Sequence, residues 1–585
     1  MRNKIFSLLI LFFSYNNVLS QVIFVNKNAV GLNNGTSWEN AYTDLSNAIN
    51  NTSNGEIWVA KGVYNPSTDK AGAIPTDEKL KTFRLKINIA IYGGFDGTES
   101  SLNQRNWKNN PTVLSGDIGI VGDETDNIRH VVYAEYIHLD SNTILDGLTI
   151  SDGYSYDEYF GEEDGAGIFV NQTSSGSFIL KNCIIENNSS FGNGGGLCVT
   201  SCSPIIENNI FRNNKAFNGG AIYLYYSNAV ISKNQIIDNK VDNYENLGLG
   251  SSSLSGGGIY VSSYSSPEIS NNLIKNNFAG LEGGGLAIKT NYHTVFKNNI
   301  VEENTSEKGG GIFLYNSETY FFNNLFARNY ATQEGGAIYM DFSSNILDFI
   351  NNTVVYNKAD QKGGGLYLNR SNPNVVNSII FSNNSTKGSQ IVTNYYGDDR
   401  SPAFKFSDIE FGATGILVVG NPIVYQNNID INPLFVDPSI NDFKLMKSSA
   451  LIDSGTMNSS IIASPWSGSN DEIINFPSFD LAGNSRINGF IDMGAYEYGS
   501  SLSMLDIEKE MSNIYPNPSN GIFNVNSESK YESIMIYDIL GKEIKKVHPL
   551  SNAFNIDLTN NPDGLYFMTV TKENKKFVYK LILKK

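Results

Sequence analysis

The acidic and aromatic side chains best suited to ligand binding are concentrated in one loop that interrupts an otherwise regular repeat. The loop reads GYSYDEYFGEED. Tyrosine rings offer apolar faces on which sugars stack, and clustered carboxylates supply the oxygen ligands that Ca²⁺ prefers. The candidate binding residues are Tyr154, Tyr156, Asp157, Glu158, Tyr159, Glu162, Glu163 and Asp164. The alternative is a solvated acidic loop without a ligand.

A second acidic stretch, SGDIGIVGDETDN, offers Asp117, Asp123 and Asp126 as candidate metal ligands. Its spacing is not that of an EF-hand, because the closing glutamate and the alternation of ligands are absent. Ca²⁺ is therefore the cofactor that this sequence suggests, and a polar turn is the alternative.

Catalytic residues are not evident. A glycan hydrolase needs paired carboxylates, and the N-T-D, G-H-G and R-I-K motifs of polygalacturonase-like enzymes are missing. The one D-D pair, Asp398-Asp399, follows the regular repeats. We predict no catalytic residue and favour a binding or structural protein, with a polysaccharide lyase or glycoside hydrolase as the alternative.

The repeat predicts the fold. A phrase of Gly-Gly-Gly/Ala, or a near variant, followed by Ile/Leu-x-apolar begins at Gly165, Gly194, Gly219, Gly256, Gly283, Gly309, Gly335 and Gly363. Each copy contains short β-branched runs between turns and has no helical periodicity. We predict an all-β protein, a right-handed parallel β-helix solenoid with three strands per coil. Side chains alternate along a strand, so Ile222 and Leu224 should point inward and Tyr223 outward.

A second motif, N-x-apolar-apolar-x-x-N, recurs once for each copy of the glycine motif. Its opening residues are Asn182, Asn208, Asn234, Asn271, Asn298, Asn323, Asn351 and Asn377, and its closing residues are Asn188, Asn214, Lys240, Asn277, Asn304, Asn329, Asn357 and Asn383. Asparagine tolerates left-handed turns, and its amide can bond to the coils above and below. We predict a structural ladder, broken at Lys240, and no binding site.

The chain divides into consecutive segments. We predict a signal peptide at 1–20, an N-terminal cap and first coils at 21–130, regular coils at 131–403, irregular final coils and a cap at 404–498, a linker at 499–512, and a small Ig-like β-sandwich at 513–585. The signal rests on Arg2 and Lys4 before a short apolar run. Two insertions, Gly153 to Asp164 and Val241 to Ser255, leave the same corner of the coil, which is typical of a binding face.

Composition limits the partners. A net charge of −17 argues against nucleic acid, whose phosphates require basic residues. No further apolar run is long enough for a transmembrane segment. The three cysteines do not form a disulfide scaffold.

Two resemblances extend this interpretation. The segment IFRNNKAFNGGAIYL resembles the repeats of chlamydial polymorphic outer-membrane proteins, which are surface adhesins. The N-terminal start and the final segment from DLAGNSRI to DMGAYEY resemble bacterial surface proteins with pectate-lyase-like helices and C-terminal anchors. The C-terminal segment resembles the type A sorting domain of the type IX secretion system in Bacteroidetes. The matching residues are Tyr515, Pro516, Asn517, Pro518, Gly521, Asp538, Gly541, Gly564, Leu565 and Tyr566.

These resemblances imply export through the type IX secretion machinery to the outer-membrane surface or the extracellular space. They also imply adhesion or glycan binding as the function, with a glycan or a cell-surface ligand as the partner.

Overall fold

The computed structural model describes most of the chain. The described residues are 22–156, 164–242, 254–343, 347–396, 401–457, 478–486, 490–499, 513–517, 519–526, 533–538, 543–549, 551–572 and 575–584. They divide into two compact units: the first runs to Leu481 and includes Ser485–Gly499, and the second comprises Ala482–Asn484 and the described residues after 500.

The first unit is a coil of parallel strands. One turn of the coil contains the strands Leu197–Cys202, Ile205–Glu207, Ile210–Arg212 and Lys215–Ala216, which we assign to sheets one to four. Each strand pairs in parallel with its equivalent in the next coil. The prediction of a β-helix is therefore confirmed, but most regular coils have four strands and not the predicted three. The fourth strand has only two residues here, too few for a visible apolar period.

The strands of each sheet follow the order of the coils. Sheet one contains Phe83–Arg84, Val132–Glu135, Ile168–Gly176, Leu197–Cys202, Ile222–Tyr225, Ile259–Val261, Ile338–Asp341, Leu366–Asn369, Ile391–Tyr395 and Ile416–Gly420. Sheet two contains Val22–Val25, Gly55–Ala60, Ile89–Phe95, Ile144–Asp146, Ile179–Lys181, Ile205–Glu207, Val230–Ser232, Glu268–Ser270, Asp348–Ile350, Asn374–Val376, Ala403–Lys405 and Val424–Gln426. Leu286–Lys297 and Ile312–Phe322 run through the corner from sheet one into sheet two.

The other two sheets are built in the same way. Sheet three contains Gly62–Tyr64, Thr112–Ser115, Thr149–Ser151, Ile184–Glu186, Ile210–Arg212, Gln235–Ile237, Leu273–Lys275, Ile300–Glu302, Leu325–Ala327, Thr353–Val355, Ile379–Phe381 and Asp408–Ile409. Sheet four contains Tyr154–Ser155, Ser189–Ser190, Lys215–Ala216, Lys240–Val241, Phe278–Ala279, Thr305–Lys308, Tyr330–Glu334, Lys358–Lys362 and Asn384–Lys387.

Helical segments are few and short. The one α-helix among the described residues is Leu45–Asn51, and it begins where the Asp44 side chain accepts the backbone N–H of Asn47. The 3₁₀ turns are Glu78–Leu80, Leu102–Gln104, Glu124–Asp126, Gly412–Gly415 and Pro438–Ile440.

Aliphatic side chains fill the coil as the alternation predicts. Ile222 and Leu224 are fully buried, and Tyr223 between them points outward and is half-buried. The inward residues of successive coils form one continuous core. Burial of this apolar surface is the main source of stability of the coil.

At the two corners that flank sheet three, consecutive residues have different roles. Asn276 takes a left-handed backbone conformation with φ of 53°. Asn277 is buried, and its Oδ1 accepts the backbone N–H of Asn239 at 3.0 Å while its Nδ2 donates to Ile236 O at 2.8 Å. The predicted ladder exists, but the predicted break at Lys240 is wrong, because Asn239 occupies the ladder position in that coil.

Most of the predicted opening asparagines therefore lie one residue before the ladder position. Except for Asn234, they are the left-handed residues of the corner. The ladder at this corner is formed by Asn209, Asn234, Asn272, Asn299, Asn324 and Asn352, and serines continue it.

The corner between sheets one and two has a ladder of its own that the sequence interpretation missed. The backbone N–H of Ser343 donates to Ser371 Oγ at 3.0 Å, and that of Ser317 donates to Ser343 Oγ at 3.3 Å. The signal was a serine that follows a left-handed residue, as in Tyr226-Ser227 and Phe342-Ser343.

Residues after the last strand of the coil pack against the outer face of sheet three. A short antiparallel hairpin pairs Phe435–Asp437 with Asp442–Leu445. Phe443 and Met493 pack with Leu325 and Ile379 of that sheet. These segments shield an apolar surface that the later coils would otherwise expose to water.

The same segments contain a buried charged cluster. Arg486 is fully buried and donates to Gly494 O at 2.5 Å, and its Nη1 lies 3.9 Å from Glu497 Oε2. Asp480 and Asp492 are also buried there. Three carboxylates thus surround one guanidinium, and burial raises the pKa of Glu497 to about 8.

Stability should therefore fall as the pH rises from the ordinary range of a glutamate pKa through about 8. The folded state favours the protonated form of Glu497. The contribution of this group to the free energy of unfolding is therefore complete at low pH and is lost as the group ionises. Urea unfolding of the full chain at pH 6 and pH 9 measures the change. In the Glu497→Gln variant the pH-dependent loss should be smaller, and an unchanged loss would contradict this role.

The second unit consists of two antiparallel sheets. One contains Asn513–Tyr515, Ile522–Asn526 and Ala553–Asp557, and the other contains Ser533–Asp538, Glu543–Val547, Gly564–Lys572 and Lys575–Leu583. Phe523 and Val525 of the first sheet share one core with Ile536 and Met568 of the second. The immunoglobulin-like class of this sandwich stays a prediction.

Candidate functional site

The outer face of sheet one carries a column of eleven side chains, of which seven are aromatic. Its members in successive coils are Tyr133, Phe169, Cys198, Tyr223, Tyr260, Ala287, Phe313, Tyr339, Tyr367, Val392 and Leu417. Tyr339 and Tyr367 stack at 5.0 Å between ring centroids, and both are largely buried. Because these rings cover one another, the column is a structural feature and does not offer free faces to a ligand.

Exposed rings lie at the edge of this face, beside the corner to sheet two. Tyr226, Tyr264, Tyr315 and Phe342, which we call the aromatic strip, are 46%, 56%, 40% and 41% exposed. The Tyr226 and Tyr264 rings stack at 4.9 Å, and the Tyr315 and Phe342 rings meet edge to face at 6.0 Å. The strip spans five consecutive coils, or about 19 Å at the spacing of parallel strands.

The backbone of the strip is strained. Tyr226, Tyr264 and Phe342 have φ values of 50°, 59° and 51°. Bulky residues in this left-handed region cost about 1 kcal/mol or more each. At the corner between sheets two and three the chain mostly places asparagine in the same conformation, as at Asn271 and Asn298. Asparagine would make this turn with less strain. The turn therefore does not explain why aromatic residues occupy these positions.

Charged and amide side chains adjoin the strip. Lys289 is not one of them, because its Nζ pairs with Glu282 Oε2 at 2.5 Å, at the opposite edge of sheet one. Asn369 Nδ2 donates to Asp341 Oδ1 at 2.7 Å, and burial raises the pKa of Asp341. These groups offer donors and acceptors beside the exposed rings, which is the composition of a surface for a polyhydroxylated ligand.

Three of the predicted loop residues lie within the described chain. Tyr154 and Tyr156 pack against Phe191 of the sheet-four side, with ring centroids 5.5 and 4.8 Å away. Asp164 Oδ1 accepts the backbone N–H of Asn193 at 2.6 Å, and burial raises the pKa of Asp164. Asp157, Glu158, Tyr159, Glu162 and Glu163 lie outside the described residues.

Both insertions leave the coil between sheet four and sheet one. The first follows Ser155 of sheet four, and the second follows Val241 of the same sheet. Their attachment points therefore lie along one edge of sheet one, and the aromatic strip lies along the other. Residues 157–163 of the first insertion and 243–253 of the second lie outside the described residues.

The three candidate metal ligands accept hydrogen bonds from backbone N–H groups of their own loop. Asp117 Oδ2 accepts the N–H of Gly122 at 3.1 Å, and Asp126 Oδ2 accepts that of Ile120 at 2.8 Å. Asp123 caps the turn by accepting the N–H of Thr125 at 3.0 Å. Over the described residues, no group of three acidic, histidine or cysteine side chains is arranged to hold a metal ion.

The predicted sorting residues lie in the second unit. Asn517 Oδ1 accepts the N–H of Ile582 at 2.8 Å, which links the two ends of the sandwich. A Cβ on Gly521 would lie 2.3 Å from Thr559 Cγ2, so this position requires glycine. Tyr566 is buried and donates to Pro562 O at 2.7 Å.

The remaining motif residues have local structural roles or are not described. Tyr515 is exposed, and Pro516 follows it. Asp538 ends the strand Ser533–Asp538, and Gly564 and Leu565 begin the strand Gly564–Lys572. Pro518 and Gly541 lie outside the described residues.

Comparison with known families agrees with both units. The right handed beta helix region matches residues 126–274 and 166–354, and the secretion system C-terminal sorting domain matches residues 513–584. The chain is thus a right-handed β-helix protein with a type IX sorting domain. No curated protein matches the chain.

The sorting domain places the protein at the cell surface or outside the cell, after handling by the type IX secretion machinery. Among the described residues, no helix is both long and apolar enough to span a membrane.

Proposed function

We propose that this exported β-helix protein binds a glycan along the aromatic strip and acts in adhesion. The observation that carries the proposal is the placement of Tyr226, Tyr264 and Phe342, which are exposed in a strained backbone conformation. Strain of this kind is maintained where the exposed side chain has a role of its own. Aromatic rings beside amide and charged groups suit the apolar faces and hydroxyl groups of sugars.

The elongated shape of the strip supports a polymeric ligand. The four rings lie along coils spaced about 4.8 Å apart, so a linear chain lying along the axis would contact them in succession. Many weak contacts along one polymer give avidity without a deep pocket. This favours a polysaccharide over a small soluble sugar.

The experiment measures binding of the full chain to immobilised polysaccharides and compares a double variant, Tyr226→Asn with Tyr264→Asn. Asparagine accepts the left-handed conformation, so the variant should fold normally and bind at least about tenfold more weakly, or about 1.4 kcal/mol. Phe411→Asn is the matched control, because Phe411 is 57% exposed with φ of 66° but lies at a different corner. Equal binding by the wild type and the double variant would refute the proposal.

The same mixtures distinguish binding from catalysis. Release of new reducing ends or of unsaturated sugars would replace adhesion with the lyase or hydrolase alternative. Under the proposal, the polymer is recovered with its original length after prolonged incubation.

A further inference from the structure

Arg370 is placed to recognise an anion at one end of the aromatic strip. Its guanidinium carbon lies 4.6 Å from the centroid of the Phe342 ring, and its backbone is left-handed with φ of 49°. The side chain is exposed, and no carboxylate of the described residues lies within ion-pair distance of it. Stacking on the ring fixes the plane of the guanidinium and leaves its N–H edges for a ligand.

The charged residues near the strip differ from those along the opposite edge of sheet one. Glu282, Lys308, Glu334, Lys362 and Lys387 form one column along the edge where the insertions leave the coil. Asp341 ends the strand Ile338–Asp341 and Arg370 follows the strand Leu366–Asn369, so both lie on the strip side. Arg370 is therefore the basic group placed to act on a charged ligand at the strip.

The nearest acidic side chain does not cancel the charge of Arg370. Asp341 accepts a hydrogen bond from Asn369 at 2.7 Å, and burial raises the pKa of its carboxyl group. Arg370 favours the ionised form of Asp341 through space but makes no ion pair with it. Among the described residues, the guanidinium thus keeps its capacity for a bidentate contact with a planar oxyanion.

We propose that the strip selects glycans bearing carboxylate or sulfate groups, and that Arg370 is the residue that determines this specificity. The inference rests on the proposed function of the same strip. The rings would hold the sugar faces, and the guanidinium would bind an oxyanion of the chain through two parallel N–H bonds. Lysine cannot reproduce this fork, so Arg370→Lys should lose part of the preference.

The test uses three polymers with one backbone: dextran, carboxymethyl-dextran and dextran sulfate. The wild-type full chain should bind at least one charged polymer about tenfold more tightly than dextran, a difference of about 1.4 kcal/mol. In Arg370→Gln the ratio of the affinity for the charged polymer to that for dextran should fall to less than about threefold. The two charged polymers distinguish a carboxylate from a sulfate ligand.

Lys233→Gln is the control for charge alone, because Lys233 lies at the corner after the sheet-two strand Val230–Ser232 and pairs with Glu207 at 2.8 Å. It removes the same charge and should leave the preference intact. If Arg370→Gln and Lys233→Gln lower the preference equally, Arg370 has no specific role. If the wild type binds all three polymers equally, anion selection is refuted and the glycan site survives. If Tyr226→Asn with Tyr264→Asn binds every polymer as the wild type does, the glycan site itself is refuted.

Discussion

Replacing Gly284 with alanine should lower the free energy of unfolding by about 3 kcal/mol or more, because the new methyl group has no space. Its Cβ would lie 2.4 Å from Gly310 O and 2.5 Å from both the N and the O of Thr305. These are backbone atoms of the next coil, and a backbone cannot rotate away as a flexible side chain can. The coils would have to separate and weaken the hydrogen bonds between them. Urea unfolding of the full chain, followed by circular dichroism, measures the loss.

The neighbouring Gly285 provides the matched control. A Cβ there would lie 2.8 Å from Gly311 O and 3.1 Å from Ile274 Cγ2, so it meets one backbone atom and one side-chain methyl group. The chain itself places alanine at the equivalent positions 221 and 337. Gly285→Ala should therefore cost less than about 1 kcal/mol. Similar losses in the two variants would show that the stacking of these turns is described incorrectly.

Asn277→Ala should be the second strongly destabilising change, at about 3 kcal/mol. The substitution removes the acceptor of the Asn239 N–H and the donor to Ile236 O, and both groups are buried. Each buried polar group left without a partner costs about 1–3 kcal/mol. The midpoint of chemical unfolding of the full chain reports this loss.

Asn276→Ala tests the other role of asparagine at the same corner. Asn276 is exposed and has a left-handed backbone, so alanine there adds strain of about 1 kcal/mol but breaks no ladder. Asn276→Gly should be close to neutral, since glycine adopts this conformation freely. Equal losses for Asn276→Ala and Asn277→Ala would mean that the ladder contributes little.

Much of the fold could be predicted because the same pattern of glycine, asparagine and aliphatic residues recurs in successive coils. The inward positions of Ile222 and Leu224 follow from strand alternation, and most closing asparagines of the ladder were placed correctly. The error at Lys240 arose because Asn239 and Lys240 are adjacent, and a shift of one residue exchanges a buried ladder position for an exposed one. Only the hydrogen bonds of the stacked coils resolve that choice.

The aromatic strip could not be predicted in the same way. Tyr226, Tyr264 and Phe342 are separated in sequence by insertions and unequal spacings, and they align only when the coils are stacked in register. Tyr154 and Tyr156 looked equally suitable in the sequence, yet they pack on Phe191. The sequence interpretation named only the loop tyrosines as binding candidates, and the stacking of the coils is what brings the residues of the aromatic strip together.

Footprinting of the full chain with hydroxyl radicals, with and without a bound polysaccharide, tests the glycan-binding proposal most directly. We expect the polymer to slow the oxidation of Tyr226, Tyr264, Tyr315 and Phe342 and to leave the equally accessible Phe411 unchanged. A polysaccharide that binds and protects residues on other faces, while the strip reacts at its original rate, would contradict the proposal.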